Sequence, residues 1–333
     1  MLSEFSLIDR FFARRAASAR PSTTPGDTLG IGDDCALLTP RAGEMLAVST
    51  DMLVEGRHFF ADVDPHALGH KALAVNLSDL AAMGARPQAF TLAFSLPKAD
   101  EAWLSAFSDG LFALAERHDC ELIGGDTTSG PLNLCITVFG SVPPRQALRR
   151  DAAQPGDDIW VSGTLGDARA GLGVQRGEWT ADAADAATFR AALERPEPRI
   201  ALGLALRGIA HAALDLSDGL AGDLLHILER SSVNASVDVD AIPRSDALRR
   251  LAPAIQQRCT LAGGDDYELC FTAPTAAREA VQAAAHNAAV PVTRIGTISA
   301  LAASTDRPAI AWRNAAGAPL TLTLQGFDHF HAE

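Results

Sequence analysis

Lysine is nearly absent from this sequence. Of its 28 basic side chains, only Lys71 and Lys98 are lysines and the others are arginines. Each lysine is followed by alanine, so the chain contains neither GxxxxGKS nor GxxxxGKT, the two forms of the P-loop motif. The sequence therefore excludes a P-loop as its means of binding a nucleotide.

Cysteine is scarce as well, and its spacing argues against two kinds of structural site. The five cysteines stand at positions 35, 120, 135, 259 and 270. They form no CxxC pair and are odd in number, which disfavours both a disulfide framework and a zinc site. We expect them to be mostly buried thiols.

Long hydrophobic runs are missing too. No stretch approaches the ~18 uninterrupted apolar residues of a membrane-spanning helix, and the first fifteen residues include Glu4, Asp9 and Arg10, unlike the core of a signal peptide. We therefore expect a cytoplasmic protein. The formal net charge of -13 disfavours binding to nucleic acid and membrane surfaces, which are themselves polyanionic. An acidic chain still binds phosphates where divalent cations intervene.

The sequence does contain an alternation of strand and helix patterns. Its 333 residues are more than one hydrophobic core usually accommodates, which favours two domains. Periodicity and Gly/Pro punctuation predict, in the first half, a strand at 44–51, a helix at 65–84, a helix at 101–118, a turn GGDTTSGP at 124–131 and a strand at 132–142.

A polar stretch flanked by prolines, 143–155, predicts a linker. The pattern then resumes, with strands predicted at 158–163, 267–272 and 291–297 and a helix at 221–230. We therefore predict an α/β (α+β) fold with two domains, residues 1–145 and 150–333.

Aspartates recur in Gly/Ser/Thr-rich segments beside apolar runs. A single Gly-Asp pair is usually a turn or a helix cap, but five such turns in one chain call for another explanation. Asp79 differs in lying within a predicted helix, with Asn76 three residues earlier on the same side. The aspartates concerned are Asp33, Asp34, Asp51, Asp79, Asp126, Asp215, Asp218, Asp265 and Asp266.

Converging carboxylates repel one another unless cations neutralise them, so this pattern indicates bound metal. Oxygen ligands without a His/Cys set favour magnesium, manganese or calcium over zinc. Magnesium takes one or two carboxylates together with substrate phosphates, so many aspartates indicate several ions around a polyphosphate. The sequence contains no EF-hand loop of the form DxDxDG…E. It therefore predicts a nucleotide site.

Eight segments follow one another along the chain in this order: GIGDDCA, STDMLVEGRHF, KALAVNLSDLAAMGARP, GGDTTSGP, PGDDIWVSGTLGDA, LDLSDGL, GGDDYELCF and GFDHF. In these segments, from about Glu4 to Phe330, the chain resembles the thiamine-monophosphate kinases. The wider superfamily includes aminoimidazole ribonucleotide synthetase, selenophosphate synthetase and a hydrogenase-maturation protein. It implies a homodimer in which the N-terminal domain (1–145) binds ATP and magnesium and pairs across the interface, while residues 150–333 complete the active site.

The resemblance also implies roles for particular residues. Several magnesium ions would be held by Asp34, Ser49, Thr50, Asp51, Asp79, Asp126, Asp215 and Asp218. ATP would contact Gly125, Asp126, Arg150 and Ser217, and thiamine monophosphate would contact His58, Asp265 and Phe327. A monovalent cation is a further candidate cofactor. Two positions depart from the family pattern: Asp265 stands where glutamate is usual, and Phe327 where tryptophan or tyrosine is frequent.

The expected reaction is direct in-line transfer of the γ-phosphoryl group of ATP to thiamine monophosphate, forming thiamine diphosphate. A phosphate monoester has its second pKa near ~6, so the attacking oxygen is already ionised and no general base is needed. Positioning and neutralisation of charge by metal and Arg150 should then supply most of the catalysis.

Two alternatives stay open on the sequence alone. Aminoimidazole ribonucleotide synthetase is the nearest enzymatic rival, and a non-catalytic store of divalent metal is the rival from another class. Selenophosphate synthetase would need a reactive cysteine or selenocysteine in a glycine-rich loop near the N-terminus, whereas Cys35 follows GIGDD. The hydrogenase-maturation protein would end in cysteine, whereas this sequence ends His-Ala-Glu.

Replacing Phe327 should separate substrate binding from nucleotide binding. We expect Phe327→Ala to weaken binding of thiamine monophosphate roughly tenfold or more while sparing ATP, since stacking and cation–π contacts contribute about 0.5–2 kcal/mol in addition to buried area. Titration of each ligand, with thermal unfolding of the same preparation, tests this. A variant that loses only thermal stability would assign Phe327 to the core instead.

Overall fold

The computed structural model describes residues 4–19, 29–32, 34–301 and 307–322. The chain divides into two compact units. The first falls within Met1–Leu80 and Ala85–Arg145, and the second within Ala81–Gly84 and Gln146–Glu333. Within the described part, no helix is long and apolar enough to cross a membrane.

The first unit contains a four-stranded sheet with helices. Strand order is β1-β4-β2-β3, antiparallel except for the parallel pair β2 and β3. The elements are α1 Glu4–Ile8, a π-helical turn Asp9–Ala13, α2 Arg14–Ala19, β1 Met45–Val54, α3 Pro65–Ala82, β2 Arg86–Leu96, α4 Glu101–Arg117, β3 Glu121–Ser129 and β4 Asn133–Val142.

Helix α3 is apolar on nearly every side, which agrees with its burial. Leu73, Leu77 and Leu80 are at most 1% exposed. Asp100 caps the start of α4: its carboxylate accepts hydrogen bonds from the amides of Ala102 (3.1 Å) and Trp103 (3.2 Å) and so satisfies donors that a helix leaves unpaired. The buried α3 therefore places its few polar residues, including Asp79, at fixed points in the unit.

The second unit contains a six-stranded sheet in the order β10-β7-β9-β5-β8-β6, in which only β10 and β7 are parallel. Its core includes Ile159 and Val161 of β5, Leu214 of β6 and Leu224 of α8. The elements are β5 Asp157–Ser162, α5 Asp167–Gln175, α6 Ala183–Glu194, α7 Ile200–Ala205, β6 Ala212–Asp215, α8 Leu220–Ser231, β7 Val233–Asp238, α9 Asp246–Arg249, α10 Pro253–Ala262, β8 Leu269–Pro274, α11 Arg278–Asn287, β9 Val292–Ala300 and β10 Ile310–Arg313.

The predicted fold class is confirmed, because both units combine helices with a sheet. One local prediction is wrong: most of GGDTTSGP is not a turn. Gly124–Ser129 extends β3 and pairs with Thr91–Leu96 of β2, so these polar residues have their backbone in a sheet. All five cysteines are free, with Cys120, Cys259 and Cys270 buried, Cys135 partly exposed and Cys35 exposed.

Candidate active site

One group of predicted ligands gathers where β1 faces α3. Ser49 donates a hydrogen bond from its hydroxyl to Oδ2 of Asp79, and the amide of Asp51 donates to Oδ1 of Asn76 at 3.0 Å. Ser49 and Asp51 share a strand face because side chains alternate along a strand, and Asn76 and Asp79 share a helix face because they lie three residues apart. The structure therefore brings Ser49, Asp51 and Asp79 together.

Thr50 lies on the opposite face of β1. Its hydroxyl is 2.9 Å from the hydroxyl of Thr137 on β4, and the residue is exposed. The alternation that directs Ser49 and Asp51 towards α3 directs the Thr50 side chain away from them. The structure does not bring the Thr50 hydroxyl into this group.

Asp126 and Gly125 lie on β3, at the other edge of the sheet from β1. Three inter-strand steps of about 4.8 Å put the two edges about 14 Å apart along the sheet. Gly125 has a φ of +149°, and a Cβ there would collide with the carbonyl of Leu92, so glycine allows the close approach of β3 to β2. Asp126, the next residue, is exposed.

Two other predicted residues of the first unit flank β1. Asp34 is exposed in a bend before the strand. His58 follows it, and Nδ1 of His58 accepts a hydrogen bond from the amide of Val54 at 3.0 Å. A neutral imidazole whose Nδ1 accepts carries its proton on Nε2, so the ring is oriented as an Nε2 donor.

The second group of predicted residues lies at one end of the sheet in the second unit. Strand β8 is antiparallel to both β5 and β6, so the ends of β5 and β6 lie beside the start of β8. Three backbone hydrogen bonds join the segments there: Leu216 N to Glu268 O (2.8 Å), Tyr267 N to Leu216 O (2.8 Å) and Asp265 N to Ser217 O (2.9 Å). They bring Ser217, predicted to contact ATP, next to Asp265, predicted to contact thiamine monophosphate.

The loop that carries Asp265 has an unusual backbone. Asp265 and Tyr267 have φ values of +67° and +51°, in the left-handed region that non-glycine residues rarely adopt. The Tyr267 hydroxyl donates to Oδ1 of Asp265 at 3.3 Å. A Cβ on Gly264 would collide with the carbonyl of Ser217. Such backbone strain persists where the surroundings enforce it, frequently at functional sites.

The neighbouring Asp266 has a different role. Both of its carboxylate oxygens lie 3.0 Å from the amide of Gly166, which donates to them just before α5. This contact ties the loop to the segment after β5. Of the two adjacent aspartates, Asp266 anchors the loop and Asp265 is the candidate for substrate contact.

Asp223, which the sequence reading missed, holds the turn that contains Asp218. Its Oδ2 accepts hydrogen bonds from the amides of Asp218 and Gly219, both at 3.0 Å. Burial, and then the negative charge of Asp218, raise the pKa of Asp223 to about 7, against the opposing effects of the two amide donors and Arg150. Its place in the first turn of α8 was the available signal, because acidic residues there interact with unpaired helix amides.

Arg150 and Asp215 complete the second group. The carbonyl of Arg150 accepts a hydrogen bond from the hydroxyl of Ser231 at 2.9 Å. The positive charge of the Arg150 side chain works to lower the pKa of Asp223. Asp215, the last residue of β6, is 6% exposed.

Within residues 4–19, 29–32, 34–301 and 307–322, no three His, Cys, Asp or Glu side chains are arranged to hold a metal ion. Asp33 and Phe327 lie outside the described residues.

Comparison with known proteins identifies relatives along most of the chain. Residues 32–142 match the N-terminal domain of AIR synthase related proteins, and residues 154–305 match the C-terminal domain. Thiamine-monophosphate kinases of Salmonella typhimurium and Escherichia coli K12 are each 50% identical over 329 residues, covering 98% of both chains.

Solved structures give the same picture. A thiamine-monophosphate kinase from Stenotrophomonas maltophilia has a TM-score of 0.83 and 52% identity, covering 93% of this chain and 96% of its own. AaThiL complexed with AMPPCP and TMP has a TM-score of 0.74 and 28% identity, covering 99% and 97%. The hydrogenase maturation protein HypE of E. coli, at 22% identity and a TM-score of 0.76, shares the fold.

The role of Asp223 as an acceptor predicts a difference between two substitutions. Asp223→Ala leaves two backbone donors without their acceptor and should lower the free energy of unfolding by about 1–3 kcal/mol. Asp223→Asn keeps an oxygen in place and should stay close to wild type. Urea unfolding of the three proteins measures both effects. Equal stability of the alanine and asparagine variants would contradict the role of the acceptor.

Proposed function

We propose that this chain, which belongs to the thiamine-monophosphate kinases among the AIR synthase related proteins, transfers the γ-phosphoryl group of ATP to thiamine monophosphate. The products are thiamine diphosphate and ADP. The observation that carries this proposal is the 50% identity to thiamine-monophosphate kinases over 98% of both chains. AaThiL, which aligns over 97% of its length, is complexed with AMPPCP, an ATP analogue, and TMP.

The geometry of the second unit supports this reaction. Asp265 and Ser217, proposed to contact the two different substrates, are joined by a backbone hydrogen bond of 2.9 Å. Arg150 lies near the Asp218–Asp223 turn, where a guanidinium suits phosphate oxygens because it donates two parallel hydrogen bonds. In this proposal Arg150 binds phosphate, while Ser217 and Asp265 align the two substrates, and alignment is what transfer between phosphates requires.

His58 fits a binding role better than a role as a base. Its Nδ1 accepts the hydrogen bond from Val54, so the ring presents a donor in its neutral form. The phosphate of the acceptor substrate is already ionised near neutral pH, because its second pKa is near ~6. No proton has to be removed for attack, and an Nε2 donor would stabilise a bound phosphate.

The donor chemistry of the first unit fits magnesium. Ser49 and Asp79 supply oxygen atoms at one place, Asp51 lies on the same face of β1 as Ser49, and Asp126 lies on β3. All four carry oxygen ligands of the hard type that magnesium prefers. We propose that several ions bind here with Asp34 and the Thr50 backbone, that Asp215 and Asp218 are metal ligands in the second unit, and that a monovalent cation assists. Bound magnesium would neutralise phosphate charge.

A coupled assay tests the proposed reaction. Purified protein, ATP, magnesium and thiamine monophosphate should yield thiamine diphosphate and ADP in equal amounts. The substrate of aminoimidazole ribonucleotide synthetase, supplied in parallel, should give no product. Formation of that enzyme's product instead would overturn the assignment.

Calorimetry separates a metal store from a kinase. A store binds magnesium equally with and without an ATP analogue, whereas a kinase binds magnesium and the analogue synergistically.

We extend the proposal to a cytoplasmic homodimer. Strand β1 is an edge of its sheet, and among the described residues Met45, Leu46, Val48 and Met52 of this strand are 57%, 44%, 55% and 52% exposed. An exposed apolar edge strand favours pairing with another chain, so we propose that a second copy of this chain covers β1.

We propose a cytoplasmic location because the reaction uses ATP, and cell fractionation checks it.

A charge on β1 should disrupt the dimer. Val48→Asp places an unpaired carboxylate in the proposed interface and should shift the protein towards a monomer. Sedimentation at micromolar concentration measures the mass, with Ala113→Asp on the exposed side of α4 as the control. A wild-type monomer with full activity would overturn the homodimer.

Loss of single carboxylates in the first unit should abolish activity without unfolding the protein. Asp51→Asn and Asp126→Asn remove charge at a metal–phosphate site with almost no change in side-chain volume, so each should remove most turnover. Activity at ordinary magnesium concentration, with circular dichroism as the check on folding, measures this. Wild-type turnover in either variant would remove that residue from the metal site.

A further inference from the structure

Glu268 is a buried carboxylate that stands immediately before β8. It is 5% exposed, and its side chain meets two other polar residues. Arg199 donates from Nε to Oε2 at 2.7 Å and from Nη2 to Oε1, and the Ser162 hydroxyl donates to Oε2. We call Ser162, Arg199 and Glu268 the Glu268 cluster.

The Glu268 cluster connects three separate parts of the second unit. Ser162 is the last residue of β5, and its hydroxyl oxygen also accepts the amide of Leu269 at 2.8 Å. Arg199 stands just before α7. A Cβ on Gly163, which has a φ of +56°, would collide with Oε1 of Glu268, so the carboxylate fits closely against the end of β5. The side chain of Glu268 is therefore closely enclosed by the end of β5 and by Arg199.

The backbone of Glu268 is the first link in the pairing of the two candidate substrate loops. Its carbonyl accepts the amide of Leu216, and the pairing continues through Tyr267 to the bond between Asp265 and Ser217. The β6–β8 ladder ends at the pair Asp215 and Leu269, so Leu216 and Glu268 are the first residues beyond it. The Glu268 cluster thus holds the residue at which the loop pairing leaves the sheet.

We propose that the Glu268 cluster is a positioning device for the transfer reaction, which holds Ser217 and Asp265 at the separation that alignment of the two substrates requires. Glu268, Arg199 and Ser162 touch neither substrate in this account. They act through the backbone bonds of the two loops. This inference rests on the function proposed above for its kinetic consequence, while its structural part stands on the contacts of the cluster alone.

The same strand offers a matched control. Asp158, near the other end of β5, is fully buried and accepts hydrogen bonds from Nε and Nη2 of Arg278 at 2.6 and 2.9 Å. Ser162 is the fourth residue after it, which is about 13 Å further along the strand. Asp158→Asn therefore breaks a comparable arginine–carboxylate pair in the same sheet, but away from the paired loops. If the loss of a buried arginine–carboxylate pair acted only by lowering stability, Asp158→Asn and a matching substitution of Glu268 should have the same effect on kcat/KM.

Tyr267 provides a probe that does not depend on activity. It is the chain's only tyrosine and lies between Asp265 and Glu268. Protein labelled with 3-fluorotyrosine should therefore give a single fluorine resonance from the loop. The test compares wild type with Glu268→Gln, Arg199→Lys and Asp158→Asn, by fluorine NMR and by steady-state kinetics at a temperature where each is folded.

We expect the Tyr267 resonance to shift or broaden in Glu268→Gln and Arg199→Lys and to stay unchanged in Asp158→Asn. We expect kcat/KM for thiamine monophosphate to fall roughly tenfold to a hundredfold in the first two, because small misplacements of reacting groups are costly. Lysine retains the charge but not the planar fork, so Arg199→Lys tests the geometry and serves if Glu268→Gln does not fold.

An unchanged resonance and unchanged kcat/KM in folded Arg199→Lys or Glu268→Gln would overturn the inference. An equal fall in kcat/KM for Asp158→Asn would do so as well, since it would reduce the effect to general destabilisation. A wild-type protein that makes no thiamine diphosphate would instead reject the proposed function, while the resonance would still decide whether the cluster positions the loops.

Discussion

The backbone pairing between residues 216–217 and 265–268 is the constraint on which the group of candidate site residues in the second unit depends. It exists because β8 runs antiparallel between β5 and β6, so that the loops leaving β6 and entering β8 meet at one end of the sheet. Backbone bonds are a firm way to join two loops, since a buried amide or carbonyl without a partner costs about 1–3 kcal/mol. The pairing therefore fixes the distance between the backbones of Ser217 and Asp265, from which their side chains extend.

Charge is the second constraint on this molecule. An acidic chain that binds two phosphorylated substrates must avoid adding its own repulsion to theirs. The carboxylates of this chain differ in what surrounds them. Asp223 and Asp266 face backbone amides within the second unit, whereas Asp126 is exposed on β3. Burial of Asp223 raises its pKa to about 7, which reduces its negative charge near neutral pH beside Asp218.

The sequence could predict the fold class and the shared face of Asn76 and Asp79, because both follow from local periodicity. It could not predict that β1 faces this helix side, nor that Glu268 meets Arg199 and Ser162. Those partners are 69 and 106 residues away in the chain, and no local pattern marks such a contact. Asp223 was missed for another reason: a carboxylate in the first helical turn is ordinary, and only the adjacent turn gives it a specific role.

The error at 124–129 shows what the Gly-Gly-Asp segments share. The same three residue types occur at 124–126, where the structure has a strand, and at 263–265, where it has a loop. In both places the second glycine lies against a neighbouring carbonyl, that of Leu92 for Gly125 and that of Ser217 for Gly264, and a Cβ would collide with it. The pattern therefore indicates close backbone contact followed by an aspartate, whatever the secondary structure. The prediction of a turn rested on the conformational freedom of glycine. Both sites use its small size, and Gly125, with a φ of +149°, uses its conformational freedom as well.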